Sequence, residues 1–149
     1  MTDAITASLH HLAAFIVFGA LLAEHMLLRT APSPATVRVL GRLDMIYGIS
    51  AGIVLIVGIG RVMHAIKGSA FYLDNPVFWA KMVVFAAIGF ISIAPTLRYF
   101  AWNKALKTEG KVPDEASWTQ PLRWVRLQLA LFLALPVLAA LMARGFGLG

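Results

Sequence analysis

The stretch ASLHHLAAFIVFGALLAEHMLLR, residues 7–29, decides what kind of protein this is. Between Asp3 and Glu24 the chain holds no Asp, Glu, Lys or Arg, yet His10 and His11 stand toward one end of the run and Glu24 and His25 near the other. A hydrocarbon layer about 30 Å thick is crossed by roughly 20 apolar residues, each rising about 1.5 Å along a helix. The stretch therefore reads as a membrane-spanning helix that carries polar groups near both ends of its span.

Three more runs, 45–60, 82–97 and 127–143, also lack Asp, Glu, Lys and Arg, and each sits within a longer apolar stretch. Across the 149 residues, 60% are hydrophobic and 13% charged, well outside the balance of a water-soluble domain. These observations predict an all-α fold: one integral membrane four-helix bundle over residues 1–149, running up-down-up-down. The helices are expected near 4–28, 44–66, 76–100 and 122–143, with a polar connection at 101–121 long enough to be mobile. The opening MTDAITAS has no basic segment, and no small-residue cleavage site follows the first apolar run, so the first helix is expected to persist in the mature protein. The chain has no cysteine, which excludes disulfides, thiolate metal sites and covalent c-type haem attachment. Any metal or cofactor must then be held by His, Met or oxygen ligands.

The net charge of +6 is unevenly distributed. Segments 29–43 and 98–126 carry Arg29, Arg38, Arg42, Arg98, Lys104, Lys107, Lys111, Arg123 and Arg126, whereas the other side has only Arg61, Lys67, Lys81 and Arg144. By the positive-inside rule this places both termini on the non-cytoplasmic side of a bacterial inner membrane. Anionic lipid headgroups account for the basic loops, and nucleic acid is not an expected partner. Interfacial aromatic residues agree: Phe71, Tyr72, Phe78 and Trp79 cluster at the outer boundary, and Tyr99, Trp102 and Trp124 at the inner one.

Local signals refine the helices. Ser33-Pro34 and Asn75-Pro76 each pair a capping side chain with proline at the first helical position, so the second helix is able to start before the membrane and carry Arg38 and Arg42 along its surface. Gly48 and Gly52 form a GxxxG pair that Gly58 and Gly60 extend; such a stripe allows close helix approach and leaves room for a planar ligand. Pro95 and Pro136 are expected to kink the third and fourth helices, with Ser92 and Thr96 near enough to bond freed backbone groups. Four helices enclose little volume, which favours a homodimer.

Polar side chains at membrane depth call for partners or a function. An inner layer comprises Glu24, His25, Asp44, Arg98, Arg123, Arg126 and Gln128. Its plain reading is a buried ion-pair network; its functional reading is a proton relay or a divalent metal site on Glu24, His25 and Asp44. An outer layer comprises His10, His11, Arg61, His64 and Lys81, all within about 10 Å of the outer surface by the helical rise. It holds cations and imidazoles but no carboxylate, which suits an anionic, metal-bearing ligand such as a porphyrin with its propionates. His11 and His25 are 14 residues apart, on one helix face and roughly 21 Å apart along the axis. Helix two offers no histidine level with His11: Gly58 lies there, and His64 is about 9 Å beyond. A single haem with one histidine, a Met, Lys or water opposite, and space from Gly52 and Gly58, fits that spacing better than a bis-histidine pair, and Met82 lies near the right depth.

The runs LHHLAAFIVFGALLAEHMLLR, DMIYGISAGIVLIVGIGRV, FYLDNPVFWAKMVVF and TLRYFAWNK together resemble, over nearly the whole chain, a family of bacterial four-helix membrane proteins of unknown function. They are more distantly similar to the haem-binding protoporphyrinogen oxidase of the HemJ type and to CopD-type copper-resistance membrane proteins. That wider group has an early histidine in helix one, glycines in helix two and a Trp-x-Lys motif opening helix three. The resemblance implies corresponding roles for His10 or His11, for Gly52 or Gly58, and for Trp79 and Lys81. The doubled histidine, the Glu24-His25 pair and the Asp-Asn-Pro entry to helix three are departures from HemJ.

The sequence thus yields one leading expectation: a b-type haem or related tetrapyrrole near the outer face, with His11 or His10 on the iron and Arg61 and Lys81 on propionates, serving electron transfer or tetrapyrrole handling. The alternatives are a small copper-like divalent-metal binding or transport protein using Glu24, His25 and Asp44, and a non-catalytic membrane helper.

Overall fold

The computed structural model describes residues 2–64 and 68–147. It contains six helices, α1 Thr2–Leu27, α2 Pro34–Met63, α3 Ala70–Leu73, α4 Pro76–Glu109, α5 Glu115–Thr119 and α6 Leu122–Ala143, and no strand among those residues. Four helical stretches are long and apolar enough to cross a membrane: most of α1, all of α2, all of α4, and α5 continuing into α6.

The helices pack as a four-membered ring. α1 lies chiefly on α2 and α4 on α6, while α2 against α4 and α1 against α6 close the circle. The buried positions follow a three-four spacing, the signature of helices that keep one seam toward their neighbours. On α1 the seam is Ala13, Val17, Ala20, Glu24; on α4 it includes Ile88, Pro95 and Tyr99; on α6 it includes Val125 and Gln128. The opposite faces are apolar as well: Phe15, Ile56, Phe90 and Phe100 are each at least 70% exposed. A bundle that is hydrophobic outside its core is built for lipid, not water.

The caps explain where the long helices begin. At the start of α2, Ser33 Oγ accepts from Thr36 N–H (3.1 Å) while Thr36 Oγ1 accepts from Ser33 N–H (2.8 Å), a reciprocal capping box ahead of Pro34. α2 therefore starts ten residues before the expected span at 44, burying Val37 and Leu40 and leaving Arg38 and Arg42 exposed. Its expected end at 66 lies outside the described residues. Asn75 Oδ1 accepts from Val77 N–H (2.8 Å) at the start of α4, and its Nδ2 donates to the Phe146 carbonyl (3.1 Å), tying the C-terminal segment to this cap.

At its other end α4 continues past the expected residue 100 to Glu109 and stops where Gly110 adopts a left-handed φ of 67°. The extra turns are anchored. Asn103 Nδ2 donates to the carbonyls of Val37 (3.2 Å) and Tyr99 (2.9 Å), and Trp102 and Leu106 pack on the core. The connection expected to be mobile is instead partly folded: α5 seats Trp118 in the core, with Nε1 donating to the Thr30 carbonyl at 2.8 Å. The helical pattern runs on through Pro95 and Pro136. Ser92 donates to the Gly89 carbonyl (2.7 Å), while Thr96 leaves its own helix to bond Asp44.

Candidate functional site

Two polar layers occupy the seam, separated by apolar packing. Because consecutive side chains on a helix point about 100° apart, only one residue of each neighbouring polar pair faces inward. On α1 the inward pair is His10 and Glu24, which share the seam with Ala13, Val17 and Ala20. His11 is exposed on the lipid side, touching His10 edge-on with ring centroids 6.0 Å apart, and His25 is half-buried at the flank. The 14-residue spacing expected for His11 and His25 belongs, one position earlier, to His10 and Glu24.

The outer layer forms where α1, α2 and α4 meet. Val54, Gly58 and Arg61 recur on one face of α2 at the spacing of successive turns, and the His10 ring reaches the Val54 backbone. A methyl group on Gly58 would stand 3.3 Å from His10 Cε1, so the imidazole packs closely on the glycine and would have to give by a few tenths of an ångström for any larger residue. Arg61 and Lys81 lie within electrostatic range of His10 and of each other. His10 Nδ1 and Arg61 Nε are buried and have no hydrogen-bond partner. Among the described residues the one ion pair is Lys111 with Glu109 (2.7 Å), on the surface, so no carboxylate offsets Arg61 or Lys81 there. His64 stands apart from this cluster: it is exposed, and its Nδ1 pairs with the Gly60 carbonyl of its own helix at 3.0 Å. Gly52, expected to help make room, opens away from other side chains, with nothing within 4 Å of an added methyl.

The inner layer is built differently from the expected ion-pair network. Glu24 is 2% exposed, and its Oε2 accepts from the Tyr99 hydroxyl at 3.4 Å. Asp44 Oδ1 accepts from Thr96 Oγ1 (2.6 Å), and the Tyr47 hydroxyl donates to Gln128 Oε1 (3.1 Å). Two of these bonds run across the bundle, α4 to α1 and α2 to α6, so each diagonal is spanned by a tyrosine. The arginines turn away. Arg98 is exposed and bonds the Gln120 side chain, the Arg123 guanidinium stacks over Trp124 at 4.8 Å, and Arg126 is exposed. Glu24 Oε1 and His25 Nδ1 are buried without a partner.

Among the described residues no three His, Asp or Glu side chains come together as a group able to hold a metal ion. Glu24, His25 and Asp44 therefore do not assemble into the three-ligand divalent site that the sequence suggested. The role of Tyr99 as a buried donor was hidden by its place in the inner aromatic belt, since a tyrosine near a membrane boundary reads first as an interfacial anchor; Tyr47 carried no signal of its own. Spacing was the signal available: Tyr99 lies four residues after Pro95 and eleven after Ile88, on the same inward stripe. Two open recesses mark the surface. One, of about 360 Å³, is lined by Ala4, Ile5, Ser8, Leu9 and Leu12; the other, of about 210 Å³, lies around Arg29, Thr30 and Trp118, and neither touches His10 or Glu24.

No curated protein and no solved structure matches the chain. A family model does, over residues 2–147, and the bundle agrees with its description. The chain belongs to the family described as predicted membrane protein (DUF2214).

Proposed function

We propose that this membrane protein binds an anionic, iron-bearing tetrapyrrole of the b-haem type at its outer layer, with His10 as the imidazole donor and Arg61 and Lys81 facing the propionate carboxylates. The observation that carries this reading is the inward His10 ring: Nδ1 is bare and buried, the ring is seated on Gly58, and two cations that pair with no carboxylate among the described residues lie in reach. A half-buried cationic pair is costly in a bilayer unless an anion joins it, and a dicarboxylate ligand supplies two negative groups. A lone imidazole beside such a pair adds a metal ligand that a simple anion site does not need.

When bound, such a group supplies one-electron redox chemistry. The chain's own contributions are separate from it. His10 presents nitrogen from the seam of α1, with its rotation fixed by Gly58 and the Val54 backbone. Arg61 brings a fork of fixed N–H donors suited to a carboxylate, and Lys81 a point charge on a flexible stem. Ala13, Val17 and Ile88, each no more than 3% exposed, close the layer from below and keep water from following a ligand inward.

Absorption spectroscopy of protein expressed with ample haem and purified in detergent tests the reading. A Soret band is expected in wild type and in His11→Ala, and its loss or displacement in His10→Ala. A wild type without the band, or a His10→Ala variant with an unchanged one, overturns it.

A further inference from the structure

We propose that Glu24 and Asp44 form an intramembrane proton site, holding one exchangeable proton between two carboxyl groups on adjacent helices. The case begins with burial. Glu24 is 2% exposed in the seam of α1, and one of its oxygens, Oε1, has no hydrogen-bond partner. Asp44, half-buried on α2, lies within electrostatic range of it. Every basic group that shares this depth has been accounted for elsewhere: Arg98 on Gln120, Arg123 on Trp124, Arg126 exposed, and His25 turned to the flank near Arg29 and Arg126. Thr96 and Tyr99, three residues apart on one face of α4, anchor Asp44 and Glu24 respectively, so the two acids sit at neighbouring levels of the bundle with no ion-pair partner among the described residues, an arrangement that one retained proton relieves.

The neighbours suit that role. From α4, Tyr99 donates to Glu24 Oε2 and Thr96 to Asp44 Oδ1, so each carboxyl group keeps one oxygen fixed. From α2 and α6, Tyr47 and Gln128 satisfy one another and bring no charge. The bare Oε1 of Glu24 is the atom left to carry or release the proton. In exchange within the pair, an O–H bond on one carboxylic acid breaks as one forms on the other carboxylate, with no electron moved and a single negative charge kept; at higher pH the proton passes to solvent hydroxide and both groups are carboxylates. His25, beside Glu24 on α1 with a bare Nδ1 of its own, is the one titratable group between this pair and the basic flank.

This site is separate from the proposed tetrapyrrole layer and is tested without it. Infrared difference spectra of the wild-type chain, purified in detergent and titrated across neutral pH, should show a protonated-carboxyl C=O stretch that appears and disappears reversibly and shifts in deuterated water. Glu24→Gln, which keeps the shape and the bond from Tyr99, should abolish that band, and Asp44→Asn should displace its midpoint along the pH axis. Tyr99→Phe tests the same pair without removing an acid and should move the band's frequency. A wild type with no pH-responsive carboxyl band, or a band unaltered in both Glu24→Gln and Asp44→Asn, overturns the proposal. Protein lacking a Soret band but showing the carboxyl transition would remove the tetrapyrrole reading and leave this one standing.

Discussion

His10 and His11 are neighbours in the chain with opposite surroundings, and a single turn of about 100° separates packing from lipid. In a soluble helix the polar face would show which way each residue points; here α1 is apolar all round, and its sequence leaves the rotation open. The same ambiguity hid which partner of the Glu24-His25 pair faces inward. Glycine roles divide by a similarly fine margin. An added methyl at Gly41 would collide with the Asn103 amide, which holds the Val37 and Tyr99 carbonyls. Gly41→Ala is therefore expected to destabilise by about 1–3 kcal/mol, because the displaced Asn103 amide loses its bonds to both carbonyls. At Gly52 a methyl meets nothing within 4 Å, so Gly52→Ala should be neutral or stabilise by up to about 1 kcal/mol through helix propensity. Thermal unfolding in detergent distinguishes the two, and equal shifts would contradict the packing around Asn103.

At the level of the helices, the apolar runs and the two Ser/Asn-Pro starts were legible because bilayer thickness and capping chemistry act locally. The segment 101–121 was not. Its charges and EGKVPDEAS suggest a loose loop, and what folds it is a long-range contact: Trp118 stacks on Trp102 with centroids 5.4 Å apart and donates to Thr30. Trp118→Ala should lower stability by about 3–5 kcal/mol, the range for deleting a large buried aromatic, and Trp118→Phe by less because the ring still fills the site. The helix that carries it is capped by Asp114, whose side chain accepts from the Ser117 N–H (2.7 Å) and hydroxyl (3.1 Å). Those bonds hold the Asp114 carboxyl below the usual carboxylate range. A depressed value means the stabilisation is present above the ordinary aspartate range and is lost as pH falls through the lowered one. Hydrogen-exchange protection in residues 111–121, taken relative to the intrinsic rate at each pH, should accordingly fall in acid, and should be low already at neutral pH in Asp114→Ala.

Seen whole, the bundle is cross-braced by Tyr47 to Gln128 and Tyr99 to Glu24, bonds between helices that are not neighbours around the ring. Tyr47→Phe leaves a 1%-exposed amide oxygen without its donor, and a loss of about 1–3 kcal/mol in thermal unfolding is expected; no loss would mean the brace is dispensable. The C-terminal segment shares one end of the bundle with the 68–75 segment, as the Asn75 bond to Phe146 requires. The charge distribution predicts that a fluorescent reporter at the C-terminus, one that folds only in the cytoplasm, stays dark, while the same reporter inserted at Lys111 lights up. The four spans and their up-down-up-down course follow from hydropathy, but the absence of ion pairs inside the bundle among the described residues does not, because the arginines could reach outward as easily as inward. The apolar plug of Ala13, Val17, Ala20 and Ile88 has a consequence for the cell. Its close-packed side chains part the two polar layers with apolar atoms, so an ion resting in one meets a dielectric barrier before the other, and the bilayer keeps its insulation there.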